Sequence, residues 1–385
     1  KMRISATSEL RKRRMTALPN EPVPPVMRRV LSLNTQLMVS EAFTAYRWWT
    51  FGCYRGGVSL ESQPFSVFMK DALYGPNGFY IRGSRAGRRG GDFITSPEVG
   101  PLFGTVIARA LDAWWIELGS PRKFDVVECG AGPGTLARSI MAAKPQCMDA
   151  LRYVAVEVSE AQRALHPKGV ESRETMPDHA INGVILANEL LDNLPFRLFV
   201  FDGAWMEAFV AQTPDGKFVE VLHKPTVLPS VLPETAALGS RVPIQDAASA
   251  WVGSALSSIE RGRLVLFDYC STTTSEVAAL PWREWLRTYK DHERGGHYLL
   301  APGSQDITAQ VVLDQLPTGF VAMTQAQFLQ QWGIEELVLE GKEYWENLSS
   351  TPDVAAIKMR SRATEAQSLL ASGGLGGFTA LEWSK

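Results

Sequence analysis

Little in this chain suits a metal, a disulfide framework or a membrane. Its 385 residues include four cysteines, Cys53, Cys129, Cys147 and Cys270, scattered without a C-x-x-C pair. That spacing indicates neither a disulfide scaffold nor a zinc site, and a reducing compartment is expected. The five histidines do not cluster, so no metal is expected. No apolar run approaches the roughly 18 residues of a bilayer-spanning helix, and no internal repeat is visible. The net charge of −2 exerts no general pull toward nucleic acid or anionic membrane. What remains is an ordinary globular composition. A hydrophobic share of 45% supplies a sizeable core, enough for one large α/β domain with additions or for two domains.

The chain is organised around Phe124 to Leu136, FDVVECGAGPGTL. A short apolar run ends in Glu128 and passes into a loop with Gly130, Gly132 and Gly134, after which Leu136, Ile140 and Met141 continue at helical spacing. This pattern fits a strand buried on both faces, as a parallel sheet requires, followed by a helix. The glycines let backbone approach a ligand, and the helix N-terminus offers free N–H groups. The dinucleotide fingerprint is G-x-G-x-x-G with a ribose-binding acid about 20 residues on. Here the spacing is G-x-G-x-G, with Glu128 before it and a second apolar run, Arg152 to Val156, ending in Glu157. An acid ahead of the glycines suits a positively charged ligand without a pyrophosphate. S-adenosyl-L-methionine, with its sulfonium, ammonium and ribose, therefore fits better than NAD. Glu128 is expected to orient the ammonium side, Glu157 to bind the ribose hydroxyls, and the amides of Gly130, Gly132 and Gly134 to approach the methionine part.

Residues 1–30, with Arg11-Lys12-Arg13-Arg14 and NEPVPPV, read as a disordered or loosely attached tail. Residues 31–58, with Tyr46, Trp48, Trp49, Phe51 and Tyr54, are expected to pack on the main domain. PFSVFMKDALYGPNGFY (64–80) reads as a short amphipathic helix and a turn, followed by a basic, Gly-rich loop. Ser96 is the expected N-cap of the next helix, with Pro97 first inside it and Glu98 complementing its dipole. Apolar residues from Val99 to Trp115 then repeat for about five turns. A third apolar run, Gly183 to Ala187, ends in Asn188-Glu189-Leu190-Leu191-Asp192-Asn193. Alternation over 197–201, 205–210 and 218–221, with Asp202-Gly203 and Pro214-Asp215-Gly216 between, is an antiparallel meander inserted among parallel strands. Helices are expected near 247–260 and 325–332, with a buried run between them, Arg263 to Phe267, ending in Asp268.

Five blocks carry a family resemblance: GDFITSPEVGPLFG (91–104), VVECGAGPGTL (126–136), VAVEVSE (154–160), ANELLDNLP (187–195) and YKDHERGGHYLLAPGSQDIT (289–308). In their order and content the chain resembles the MidA-like, mitochondrial NDUFAF7-type class I S-adenosylmethionine-dependent methyltransferases. Cys129 stands where the family's Glu-Leu-Gly-x-Gly-x-Gly loop usually has leucine. The resemblance implies a Rossmann-like, seven-stranded α/β methyltransferase core with helical N-terminal additions and an antiparallel insertion. The expected layout is a tail over 1–30, a helical segment and cofactor lid over 31–118, and the core over 119–385 with its insertion at about 196–245. It also implies a protein arginine as acceptor, since the mitochondrial members methylate a subunit of respiratory complex I during assembly. The location implied is the cytoplasm for a bacterial member and the mitochondrial matrix for a eukaryotic one. The expected partner is a protein substrate, with no nucleic acid and no membrane insertion; a homodimer stays open.

In a doubly wound sheet, ligands collect outside the carboxyl ends of the strands. Four apolar runs end there in acids, Glu128, Glu157, Glu189 and Asp268, and clustered carboxylates call for a cationic ligand. Carboxylates gripping two guanidinium nitrogens localise the lone pair on the third and accept a proton later. Glu189 and Asp192 are the candidates for that role, with His292 as a base. Thr95, Pro97 and Glu98, delivered by the long loop, are expected to cover the cofactor, and Asn188 and Glu189 to touch it. Asp291, Asp306 and Thr308 are expected along the acceptor cleft. The competing functions are an NAD-dependent oxidoreductase, disfavoured by the glycine spacing and Glu128, and a non-catalytic assembly factor that kept the fold.

Overall fold

The computed structural model describes residues 61–81, 95–290, 293–348, 350, 351 and 353–385. The expectations for the tail, the aromatic segment 31–58, the loop over 82–94, Asp291 and His292 lie outside these residues.

Seven strands form the main sheet: β1 (Phe124–Cys129), β2 (Leu151–Val156), β3 (Glu171–Arg173), β4 (Ile181–Asn188), β5 (Ile259–Asp268), β6 (Val321–Thr324) and β7 (Thr379–Ser384). Their spatial order is β3-β2-β1-β4-β5-β7-β6. The neighbours from β3 to β5 pair in parallel, and β7 runs antiparallel to both β5 and β6. The chain moves outward from β1 to β3 and then returns to the other side of β1 at β4. A topological switch point therefore lies between the tips of β1 and β4, where a crevice opens. The FDVVEC sequence of β1 is buried throughout, as expected for a strand with helices over both faces. Two strand glycines let the backbones approach: a Cβ at Gly183 would lie 2.0 Å from the Asp125 carbonyl oxygen, and one at Gly262 1.8 Å from that of Gly183.

One face is covered by the Pro101–Glu117 helix, whose Leu102, Phe103, Val106, Ile107 and Leu111 are fully buried. Each such side chain contributes on the order of 1.5–3 kcal/mol by leaving water. The expected single helix from Ser96 is in fact two. A short turn, Ser96–Val99, is capped by the backbone of Thr95, and the long helix restarts after Gly100. The break has two causes. Pro101 disfavours helical geometry in the residue before it, and the buried Glu365 carboxylate accepts the Leu102 N–H at 2.8 Å. A Cβ on Gly100 would lie 2.2 Å from that carboxyl carbon. Ser96 does not cap; its hydroxyl donates to Gln325 Oε1 at 2.8 Å.

The meander forms as the alternation indicates: Arg197–Phe201, Trp205–Gln212 and Phe218–His223 pair antiparallel. Arg241–Ile244 and the short Ser62–Pro64 strand complete a five-stranded sheet. The Phe65–Tyr74 helix packs on it in a separate core with Phe196, Trp285 and Tyr298. Thus the described residues before 118 divide between the two sheets. No helix among the described residues is long and apolar enough to cross a membrane.

Candidate functional site

At the switch point lies a cavity of about 450 Å³, within the range of small-molecule and cofactor sites. Its floor is the loop after β1. Gly130, Gly132 and Gly134 all have positive φ, at 68°, 51° and 76°. A Cβ on Gly132 would meet nothing within 4 Å, so the loop presents open space there; at Gly134 it would lie 2.9 Å from Pro167 Cδ. Gly130 and Gly132 line the cavity, whereas Gly134 packs behind it. The loop is braced from the β2 tip. Glu157 Oε2 accepts the Gly132 N–H and its Oε1 the Ser159 N–H, both at 2.9 Å. His166 holds the other side, Nε2 lying 2.9 Å from the Gly132 carbonyl and Nδ1 2.8 Å from Ser172 Oγ.

Glu128, at the β1 tip, lines the cavity and accepts the Tyr153 hydroxyl at 2.7 Å. Burial pushes its carboxyl up to about 7. Beyond Glu157 the wall becomes apolar, with Val156, Val158, Met176, Leu190 and Trp251.

The opposite wall comes from the turn after β4 and from the Ser96–Val99 turn. Asn188 and Glu189 face the cavity, as do Thr95, Pro97 and Glu98. Glu189 has φ +52°, a strained conformation for a side chain of this type. Its backbone N–H donates to the Phe267 carbonyl at 2.8 Å, and Asn188 Nδ2 donates to its Oε1 at 3.0 Å. Burial, then the Asp192 charge, push the Glu189 carboxyl up to about 8; burial pushes Glu98 up to about 7. The Tyr74 and Tyr80 rings stack at this end, centroids 5.5 Å apart.

The expected cluster of four strand-tip acids requires correction. Asp268 does not line the cavity. Its Oδ2 accepts the backbone N–H groups of Leu191 (3.1 Å) and Asp192 (3.4 Å), and its Oδ1 that of Tyr269 (3.0 Å). It shapes the turn that carries Glu189 because β4 and β5 are adjacent. Asp192 also lies behind the wall, accepting the hydroxyls of Tyr269 and Thr308. Asp306 accepts Tyr80 Oη and Asn193 Nδ2, both at 3.1 Å. The structure therefore brings Thr95, Pro97, Glu98, Glu128, Gly130, Gly132, Glu157, Asn188 and Glu189 to one cavity. Gly134 and Asp192 stand behind it. Tyr74, Tyr80, Asn193, Gln162, Met176 and Trp251 also line it, and the sequence reading singled out none of them. A stacked aromatic pair six residues apart across a Gly-Pro-Asn-Gly turn leaves no periodic signal.

S-adenosylmethionine fits the residues present. The cradle at Gly132 is open, the Ser159 hydroxyl and the Asn188 Oδ1 are buried without a partner, and no Lys, Arg or His is among the cavity's described lining residues. A cation meets carboxylates there and, among the described lining residues, no opposing positive charge.

Comparison with known proteins decides the family. The sequence profile of a family described as "putative S-adenosyl-L-methionine-dependent methyltransferase" matches residues 106–334. The chain belongs to this methyltransferase family. It is 27% identical over 289 residues to the Drosophila melanogaster "Protein arginine methyltransferase NDUFAF7 homolog, mitochondrial", an alignment that spans 64% of each chain. To the Homo sapiens protein arginine methyltransferase NDUFAF7, mitochondrial, it is 26% identical over 317 residues, 70% of this chain and 69% of the relative. A Burkholderia thailandensis crystal structure bound to S-adenosyl-homocysteine superposes with a TM-score of 0.70 at 26% identity, covering 96% of this chain and 95% of the other. The cofactor class of this methyltransferase family is therefore S-adenosylmethionine, and the α/β methyltransferase fold is shared.

Proposed function

We propose that this methyltransferase transfers its methyl group to an arginine side chain of a partner protein. One observation carries the reading: a single cavity joins the glycine loop to a carboxylate-bearing wall, so that a methyl donor and a cationic acceptor share it. The names of the relatives support the same acceptor class. Bound S-adenosylmethionine supplies a methyl group on a positively charged sulfur.

The chain's own residues do the rest. Glu157 orders the loop by accepting the Gly132 N–H and meets the ribose end, and Glu128 balances the ammonium end. The apolar side chains near Trp251 take the adenine. Glu189 holds the acceptor's guanidinium and localises its charge away from the attacking nitrogen. Asp192, held behind the wall by the Tyr269 and Thr308 hydroxyls, sets the charge around Glu189, whose side chain Asn188 Nδ2 holds in place. Thr95 to Glu98 close the cavity at one end, and so keep water from the reacting atoms. The acceptor expected from the family resemblance, a subunit of respiratory complex I, belongs to this proposal.

The test is a tritiated-methyl labelling of a lysate lacking the protein, with purified chain added back, followed by hydrolysis and analysis of the labelled amino acid. Methylarginine is the expected product; label on another side chain would overturn the arginine reading.

A further inference from the structure

The carboxylate end of the cavity is more specific than a patch of negative charge. Glu98 arrives from the Ser96–Val99 turn and Glu189 from the β4 tip. Glu98 is near enough for its charge to help raise the Glu189 carboxyl, along with those of Asp192 and Asp306. Glu98 Oε2 is shielded from water and has no hydrogen-bond partner. Asp192, itself 1% exposed, has an unpartnered Oδ1 as well. An unpaired buried carboxylate oxygen is costly, so Glu98 Oε2 on the cavity wall marks a place where a donor is missing. Tyr74 and Tyr80 line the same cavity, their planes 18° apart. Tyr74 Oη donates to the Asn193 carbonyl at 3.3 Å and Tyr80 Oη to Asp306 Oδ1 at 3.1 Å. Tyr74 is thereby fixed to the turn that bears Glu189 and Asp192, and Tyr80 to Asp306, which also accepts Asn193 Nδ2 of that turn.

We infer that Glu98 and Glu189 together grip the acceptor's cationic head, with the Tyr74–Tyr80 pair as its aromatic wall and Asp192 as a positioning residue behind them. The assignment rests on the proposed arginine chemistry and moves Glu98 from the cofactor to the acceptor. A guanidinium is planar, offers donors on two edges and stacks on aromatic faces, whereas an ammonium is a compact, strongly hydrated point charge. Carboxylates on two separate turns with an aromatic wall match the guanidinium. The site is assembled from residues on both sides of the glycine loop in sequence, so it exists only in the folded chain.

The experiment uses the full chain saturated with S-adenosyl-homocysteine, titrated calorimetrically with N-acetyl-arginine amide and with its neutral isostere N-acetyl-citrulline amide. The arginine probe is expected to bind at least tenfold more tightly. Glu98→Gln and Glu189→Gln are each expected to remove that preference. Glu98→Gln should keep its S-adenosyl-homocysteine affinity within twofold, which also shows that the variant is folded. Equal binding of the two probes, or a preference that survives Glu98→Gln, overturns the assignment. So does a tenfold loss of S-adenosyl-homocysteine affinity in that variant, which returns Glu98 to the cofactor. Failure of the arginine reading looks different: the transferred methyl appears on another residue type while the probe discrimination persists.

Discussion

Replacing Glu157 by Gln tests the loop brace with almost no change of shape. In the native protein one carboxylate accepts two backbone N–H groups, Gly132 at 2.9 Å and Ser159 at 2.9 Å. A Gln side chain has one oxygen, so its NH2 group must face one of those donors. The substitution forfeits one charge-assisted hydrogen bond, about 1.5–3 kcal/mol. Because Glu157 is half-buried, the lower part of that range applies. At about 1.4 kcal/mol per factor of ten, S-adenosyl-homocysteine should bind roughly tenfold more weakly, and more so where the ribose hydroxyls also lose their acceptor. Isothermal titration of the wild type and the variant measures this. Glu171→Gln, an exposed carboxylate on β3, serves as the control and should leave the affinity unchanged. A Glu157→Gln protein that binds within twofold of the wild type would refute the claim that this side chain organises the cofactor loop.

Three further outcomes are expected. Glu98 and Glu189 have carboxyls raised from 4.5 to about 7 and about 8, so the folded state holds their protons more tightly than the unfolded state. Their contribution to stability is full below pH about 4.5 and is lost as pH rises through 7 to 8. The ligand-free melting temperature should fall over that window, and the fall should be shallower in Glu189→Gln, as differential scanning calorimetry would show. The groups facing Glu189 are Asp192, Glu98, Asp306, Asp268 and Tyr269, with Asn188 Nδ2 as its hydrogen-bond donor. Gly183→Ala should abolish folded protein, because its Cβ would lie 2.0 Å from the Asp125 carbonyl oxygen; Gly132→Ala, whose Cβ meets nothing, should cost only the left-handed strain of about 1–2 kcal/mol in a urea titration. Glu365→Ala strips the Leu102 N–H of its acceptor, while the Ser361 hydroxyl keeps the Lys358 carbonyl, an expected loss of about 1–3 kcal/mol.

The cofactor half of the site was legible because its signals are local. A buried strand, alternating glycines and a second strand with a terminal acid lie within 34 residues, from Phe124 to Glu157, and short-range chemistry dictates each of them. The meander was legible for the same reason: strand alternation and Asp-Gly turns are properties of adjacent residues. The Gly100 break was not. Cap chemistry at Ser96-Pro97-Glu98 and the apolar repeat after it agree on a single helix, and only Glu365, 265 residues further on, overrules them by supplying the cap at Leu102.

By itself, then, the sequence determined the sheet's central strands, the turn chemistry at their tips and the charge preference of the ligand, since all three follow from neighbouring residues and their periodicity. Tertiary structure decided which acids face the cavity. Asp268 and Asp192 resemble Glu189 in sequence context, yet the pairing of β4 with β5 turns Asp268 onto backbone N–H groups, and Tyr269 and Thr308 draw Asp192 behind the wall. A carboxylate's role depends on whether its hydrogen-bonding capacity is already filled, and packing between distant segments fixes that.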